Sequence, residues 1–145
     1  MALVDLGDDL ANAEEPKAVP HGSECHCKIV RLACDESGAY VLTNKSGNQY
    51  LRPICEIMNS SDYGIKNPKD FSHYMGFPHD EQSQKQKENA LSRIKQLLEA
   101  CGVDFDGGRF DPEVLIGCEF WAILKMTESD EYGEQNDISK LIAAA

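Results

Sequence analysis

Apolar and polar side chains alternate over residues 49–58. There Leu51, Pro53, Cys55 and Ile57 fall on one side and Tyr50, Arg52, Ile54 and Glu56 on the other. A period of two marks a half-buried strand, because successive side chains of extended backbone point to opposite faces. Residues 24–32 repeat the pattern, with Cys25, Cys27 and Ile29 opposite His26 and Lys28, although the adjacent Ile29 and Val30 spoil its register. Between the two, residues 39–43 are β-branched and aromatic. They are framed by two turn-forming runs, Asp35-Glu36-Ser37-Gly38 and Asn44-Lys45-Ser46-Gly47-Asn48. The pattern predicts a three-stranded meander on which the rest of the chain is built.

The alternation lapses over residues 59–81, which read as a long irregular connection broken by Gly64, Pro68, Gly76 and Pro78. The segment holds Tyr63, Phe71, Tyr74, Met75 and Phe77 together with Lys66 and Lys69. Long loops in compact domains are functional or disordered, and this aromatic content argues against disorder. Over residues 82–101 the spacing becomes helical: Ala90, Leu91, Ile94, Leu97, Leu98 and Cys101 recur at steps of three and four, and Gly102 supplies a stop. Asp80 or Ser83 is placed to cap its start. After Gly107-Gly108 and a turn at Asp111-Pro112-Glu113, residues 118–127 form the most regular strand. In it Phe120, Ala122, Leu124 and Met126 alternate with Glu119, Trp121, Ile123 and Lys125. An acidic hairpin loop follows over residues 129–135, then a last strand over residues 136–142.

Three strands, a helix and two strands are the element order of an OB-fold barrel. The fold class expected is therefore mainly β, a five-stranded OB-fold-like barrel with one α-helix between strands 3 and 4. With 145 residues the chain has the size of one domain. Residues 1–18 are expected to be a flexible acidic N-terminal segment, and residues 19–145 the barrel domain.

The net charge of −11 is unevenly spread, and this changes the picture. Residues 1–20 carry five acids and one base, and residues 103–145 carry ten acids and three bases, whereas residues 21–102 are balanced. Acidic ends around a neutral middle fit an anion on the middle and a basic partner at the ends. No apolar run approaches the length of a membrane span, and Asp5, Asp8 and Asp9 stand where a signal peptide needs positive charge. The expected location is cytoplasmic, with no membrane partner. The six cysteines sit mostly in apolar patterns and are read as reduced core residues.

Several short runs, in order, carry a resemblance. They are Val19-Pro20-His21-Gly22, Gly47-Asn48-Gln49-Tyr50-Leu51, Met75-Gly76-Phe77-Pro78, Leu97-Leu98-Glu99-Ala100-Cys101-Gly102-Val103, Leu115-Ile116-Gly117-Cys118-Glu119-Phe120 and Tyr132-Gly133-Glu134-Gln135-Asn136-Asp137-Ile138. Together they cover about residues 19–142, and the chain resembles the phage-encoded OB-fold single-stranded DNA-binding proteins. The resemblance implies non-catalytic binding of single-stranded DNA in phage replication, recombination or repair, in the cytoplasm of the host. The acidic run Glu128-Ser129-Asp130-Glu131 departs from that pattern and directs DNA to the meander and the aromatic loop.

Binding single strands without regard to sequence needs aromatic faces for bases and cations along the backbone path. The candidates are Tyr40, Tyr50, Tyr63, Tyr74 and Trp121, interleaved with Lys28, Arg31, Lys45, Arg52, Lys66, Lys69 and Lys125. For each aromatic the competing role is to fill the barrel or cover its ends; Phe71, Phe77 and Phe120 are assigned to packing. Trp121 shares a strand face with Glu119, Ile123 and Lys125 and is the better candidate for an exposed platform. A zinc site at His21, Cys25, His26 and Cys27 has the wrong spacing. The acids Asp104, Asp106, Asp111 and Glu113 lack the ligand positions of a calcium loop. No phosphate-binding glycine loop or nucleophile–base pairing is present, so neither enzyme activity nor a cofactor is expected. The rival expectation is an OB-fold protein-interaction or accessory scaffold subunit without DNA affinity.

Overall fold

The computed structural model describes residues 2–143. In chain order its elements are α1 (Asp8–Ala11), β1 (Ser23–Leu32), β2 (Leu42–Thr43), β3 (Gln49–Leu51), β4 (Pro53–Ile57), β5 (Phe71–Ser72), β6 (Met75–Gly76), α2 (Gln84–Ala100), β7 (Glu119–Ser129) and β8 (Gly133–Ile142). Short 3-10 turns at Ser60–Tyr63, Asp106–Gly108 and Pro112–Leu115 join them. Five strands pair antiparallel in the order β5-β4-β1-β7-β8, and β5 comes round beside β8. The result is a nearly closed, OB-like five-stranded barrel with one main helix between its third and fourth strands. β2, β3 and β6 form a smaller sheet that prolongs the β4–β5 pair.

Two expectations about the meander are corrected. Residues 39–43 do not supply a barrel strand: only Leu42 and Thr43 are extended, and they pair with β3 in the small sheet. The third barrel strand comes from the stretch read as an irregular connection, which contains β5 and β6. Each is two residues long, too short to carry a period. The last strand also begins earlier than residue 136, at Gly133, and pairs with β7 back to Ser129.

Alternation decides the core. Cys25, Cys27 and Ile29 of β1 point inward with Leu51, Cys55, Ile57, Phe71, Phe120, Ala122 and Leu124, under Ile94, Leu97 and Leu98 of α2. The irregular register at Ile29 and Val30 is a β-bulge, lying between Ile29 and Arg31 in the pairing with β4. By adding one residue it returns Leu32 to the core and leaves Arg31 outside. α2 starts with a capping box: Ser83 Oγ accepts the Gln86 N–H, and Gln86 Oε1 accepts the Ser83 N–H. Gly102 ends it in the left-handed conformation, at φ 69°. Cys34 is exposed, which corrects its assignment to the core, while Cys101 and Cys118 are half-buried. Burial pushes the Cys25 thiol up to about 11, with the nearby Asp62 and Glu24 adding to it, and the Cys27 thiol up to about 12. Cys55 is raised further still, again chiefly by burial, so these three remain neutral thiols and unreactive.

Side chains close the seam between β5 and β8. Lys69 Nζ donates to the carbonyls of Tyr132 and Glu134, both at 2.9 Å, and His73 Nδ1 meets Asp137 Oδ1 at 2.8 Å. Asn136 fastens the approach to β1 from within, bonding both backbone groups of Val19. Lys69→Met removes two charge-assisted bonds at a partly solvated site, and is expected to lower unfolding free energy by about 1–2 kcal/mol in urea titration. An unchanged midpoint would show the seam to be closed by other contacts.

Candidate nucleic-acid interface

The alternation that buries Leu51 against Met75 turns Tyr50 outward, opposite Gly76. Tyr74, between β5 and β6, lays its ring on that of Tyr50, with centroids 4.7 Å apart and planes at 29°. Gly76 makes this possible, because a Cβ there would lie 2.9 Å from Tyr74 Cε1. Asn44, in the β2–β3 turn, steadies the same ring: its Nδ2 donates to the Tyr74 hydroxyl at 3.3 Å. The Arg52 guanidinium stands 5.7 Å from the centre of the Tyr50 ring and 5.8 Å from that of Tyr74, within cation–π range. Its Nη1 donates to Ser72 Oγ at 3.1 Å. Two rings and a cation are thus held together, and Tyr74 keeps 44% of its surface open.

Strand register extends this face in both directions. Arg31 on β1 is opposite Ile54 on β4, which is opposite Ser72 on β5, so Arg31 lies on the outer face beside the Arg52–Ser72 bond. Lys45 is exposed in the turn that carries Asn44. Of the residues singled out in the sequence, Arg31, Lys45, Tyr50, Arg52 and Tyr74 therefore share the outer face of β1, β4 and β5 and its extension.

The others lie elsewhere or are engaged. Lys28 is flanked in register by Glu56 on β4 and Glu119 on β7. Tyr40 is half-buried against the core, and the Tyr63 hydroxyl donates to the Glu24 carbonyl at 2.6 Å. Lys66 is exposed on the loop before β5, whereas Lys69 is taken up by the seam. Lys125 stands opposite Asp137 on β8. Trp121 is 44% exposed, but one face of its indole stacks on His26 at 5.1 Å and 9°, and His26 Nε2 meets Glu119 Oε1 at 3.0 Å. The carbonyl of His26 accepts the Met58 N–H, so Trp121 is level with Met58, roughly eight residues or about 26 Å of extended chain from Tyr50.

Ser72, Gly76 and Asn44 were not legible as site residues. Asn44 and Gly76 carried only the ordinary signals of a turn and a break. Among the described residues no group of three or more His, Cys, Asp or Glu side chains is placed to hold a metal ion. No helix among them is long and apolar enough to cross a membrane.

Gly76→Ala is expected to push the Tyr74 ring off Tyr50 while leaving the barrel folded, since the clash is with a side-chain atom rather than backbone. If single strands stack on this pair, their affinity should fall about tenfold, as for loss of one stacking platform, with little change in thermal midpoint. Full affinity in this variant would take the stacked pair out of the site. Comparison with known proteins places the chain in no family: no family model matches it, and no curated protein does.

Proposed function

We propose that this protein binds single-stranded DNA, with little dependence on sequence and without catalysis, on the outer face of β1, β4 and β5 and its extension through β3 and β6. The observation that carries the reading is the Tyr50–Tyr74–Arg52 cluster, a pair of stacked rings with a guanidinium within 6 Å of each. Every base has a π-face, so an open tyrosine accepts any of them, and cations beside it meet the phosphates that follow. Arg31 and Lys45 would continue the path to either side. In an OB-like barrel this is also the face formed by the second and third barrel strands, which suits extended oligonucleotides. The biological setting, resting on the sequence resemblance alone, is phage DNA replication, recombination or repair. Replication or recombination proteins with basic surfaces would then be the partners of the acidic termini.

The test is fluorescence anisotropy of a labelled short oligothymidine at low and then moderate salt, with Trp121 emission followed in parallel. Binding should weaken as salt rises, by about 0.7 in log–log slope for each phosphate neutralised. Trp121 emission should change little, because the indole is remote from the tyrosine pair. Absence of binding at low salt would sink the proposal. It would promote the rival reading, a protein-interaction subunit without DNA affinity. That reading has support of its own in a 400 Å³ apolar groove lined by Phe77, Leu91, Ile94, Leu98, Phe105 and Phe110.

A further inference from the structure

Beside the tyrosine cluster the outer face sinks into a cavity of 260 Å³ at the β5–β8 seam, and its lining is polar in an uneven way. Arg31 enters from β1, Asp70 from the residue before β5, and Gln135 from β8, over a floor that includes Ile54. Asn136 also borders it, but its amide is fully committed to Val19 and to the Lys125 carbonyl. Ser72 is likewise engaged, accepting from Arg52. Arg31 and Asp70 are different: they carry opposite charges into one cavity and form no ion pair with each other among the described residues. Register explains why. Arg31, Ile54 and Ser72 stand on three successive strands and Asp70 lies two residues before Ser72, so the backbones bearing the two charges are two strand spacings apart and offset along the strand, about 12 Å in all. That span leaves room for a flat ring between the two side chains, with one charge on each of two of its edges.

From this we infer that the cavity is a base-reading pocket with a preference for guanine; the inference rests on the proposed binding of single strands by the adjoining face. Arg31 offers paired donors and no acceptor, and Asp70 offers two acceptors and no donor. Guanine matches both at once. Its O6 and N7 form a pair of adjacent acceptors for a guanidinium, and N1–H with the N2 amino group forms a pair of adjacent donors for a carboxylate. Adenine, cytosine and thymine each lack at least one of those pairs. Gln135, able to donate and accept, completes the rim without choosing among bases. A strand whose neighbouring base stacks on Tyr74 would thus be bound for its backbone along most of its length and read at one position.

The experiment compares a labelled oligothymidine with the same strand carrying a single central guanine, adenine or cytosine, on the full chain at moderate salt. The guanine strand should bind at least about fivefold more tightly than the other three, the lower end of what one bidentate base contact supplies. In Asp70→Asn, which trades a pure acceptor for a mixed group, that preference should vanish while oligothymidine affinity is kept or slightly increased by the lost negative charge. Equal affinity for all four strands, a preference for another base, or a guanine preference that survives Asp70→Asn overturns the pocket and leaves the binding face intact. Failure to bind any of the four overturns the proposed function, and the pocket with it.

Discussion

Alanine at both Tyr50 and Tyr74 should weaken binding of oligothymidine by about thirtyfold or more, since each stacking platform is worth about 1–3 kcal/mol. The two rings are a unit, in van der Waals contact and both within cation–π range of Arg52. Neither is in the core, so the double variant should unfold near the parent midpoint. Phenylalanine at both positions keeps the π-faces and should keep most of the affinity, losing only the Asn44 bond to the Tyr74 hydroxyl. The salt slope separates the aromatic from the ionic part. The tyrosine variant should lose affinity at unchanged slope, whereas Arg52→Ala should lower the slope by about 0.7, the share of one phosphate on a single strand. A tyrosine variant that binds as tightly as the parent would move the site off this face.

The largest effect on stability is expected at Asn136. Its side chain is buried and makes three hydrogen bonds: Oδ1 accepts the Val19 N–H at 2.9 Å, and Nδ2 donates to the carbonyls of Val19 at 3.0 Å and Lys125 at 3.1 Å. Val19 is itself wholly buried, so water cannot replace those bonds without opening the barrel end. Asn136→Ala leaves a buried N–H and a buried carbonyl without partners, each costing about 1–3 kcal/mol, for a total loss of about 3 kcal/mol. The urea midpoint should drop accordingly, and the Val19 amide should exchange with solvent far faster than in the parent. A loss under about 0.5 kcal/mol, the range of ordinary surface substitutions, would mean that Val19 finds other partners.

Much of this fold was legible because burial leaves a local imprint. The inward positions of β4 and β7, the span of α2 and its stop at Gly102 follow from periodicity and turn chemistry within a few residues. The cluster of Arg31, Tyr50, Arg52 and Tyr74 was legible only as a set of residue types scattered among others that the fold puts to other uses. Lys69 and Tyr63 had the same composition in their favour as Arg52 and Tyr74. One closes the seam and the other is tied to the Glu24 carbonyl. Trp121, outward on its strand as its alternation implied, is carried away from the tyrosines by the pairing of β7 with β1.

By itself, then, the sequence determined which side of each long strand faces inward, where the helix runs, and that acid gathers at the two ends. These are properties of neighbours along the chain, set by side-chain period, capping and local charge. Only the tertiary structure decided which outward residues meet. The bulge after Ile29, the two-residue strands β5 and β6, and the register that places Tyr50 opposite Gly76 depend on hydrogen bonds between segments distant in sequence. A two-residue slip in that pairing would keep Tyr50 outward yet take it away from Gly76 and Tyr74, and no local pattern records it.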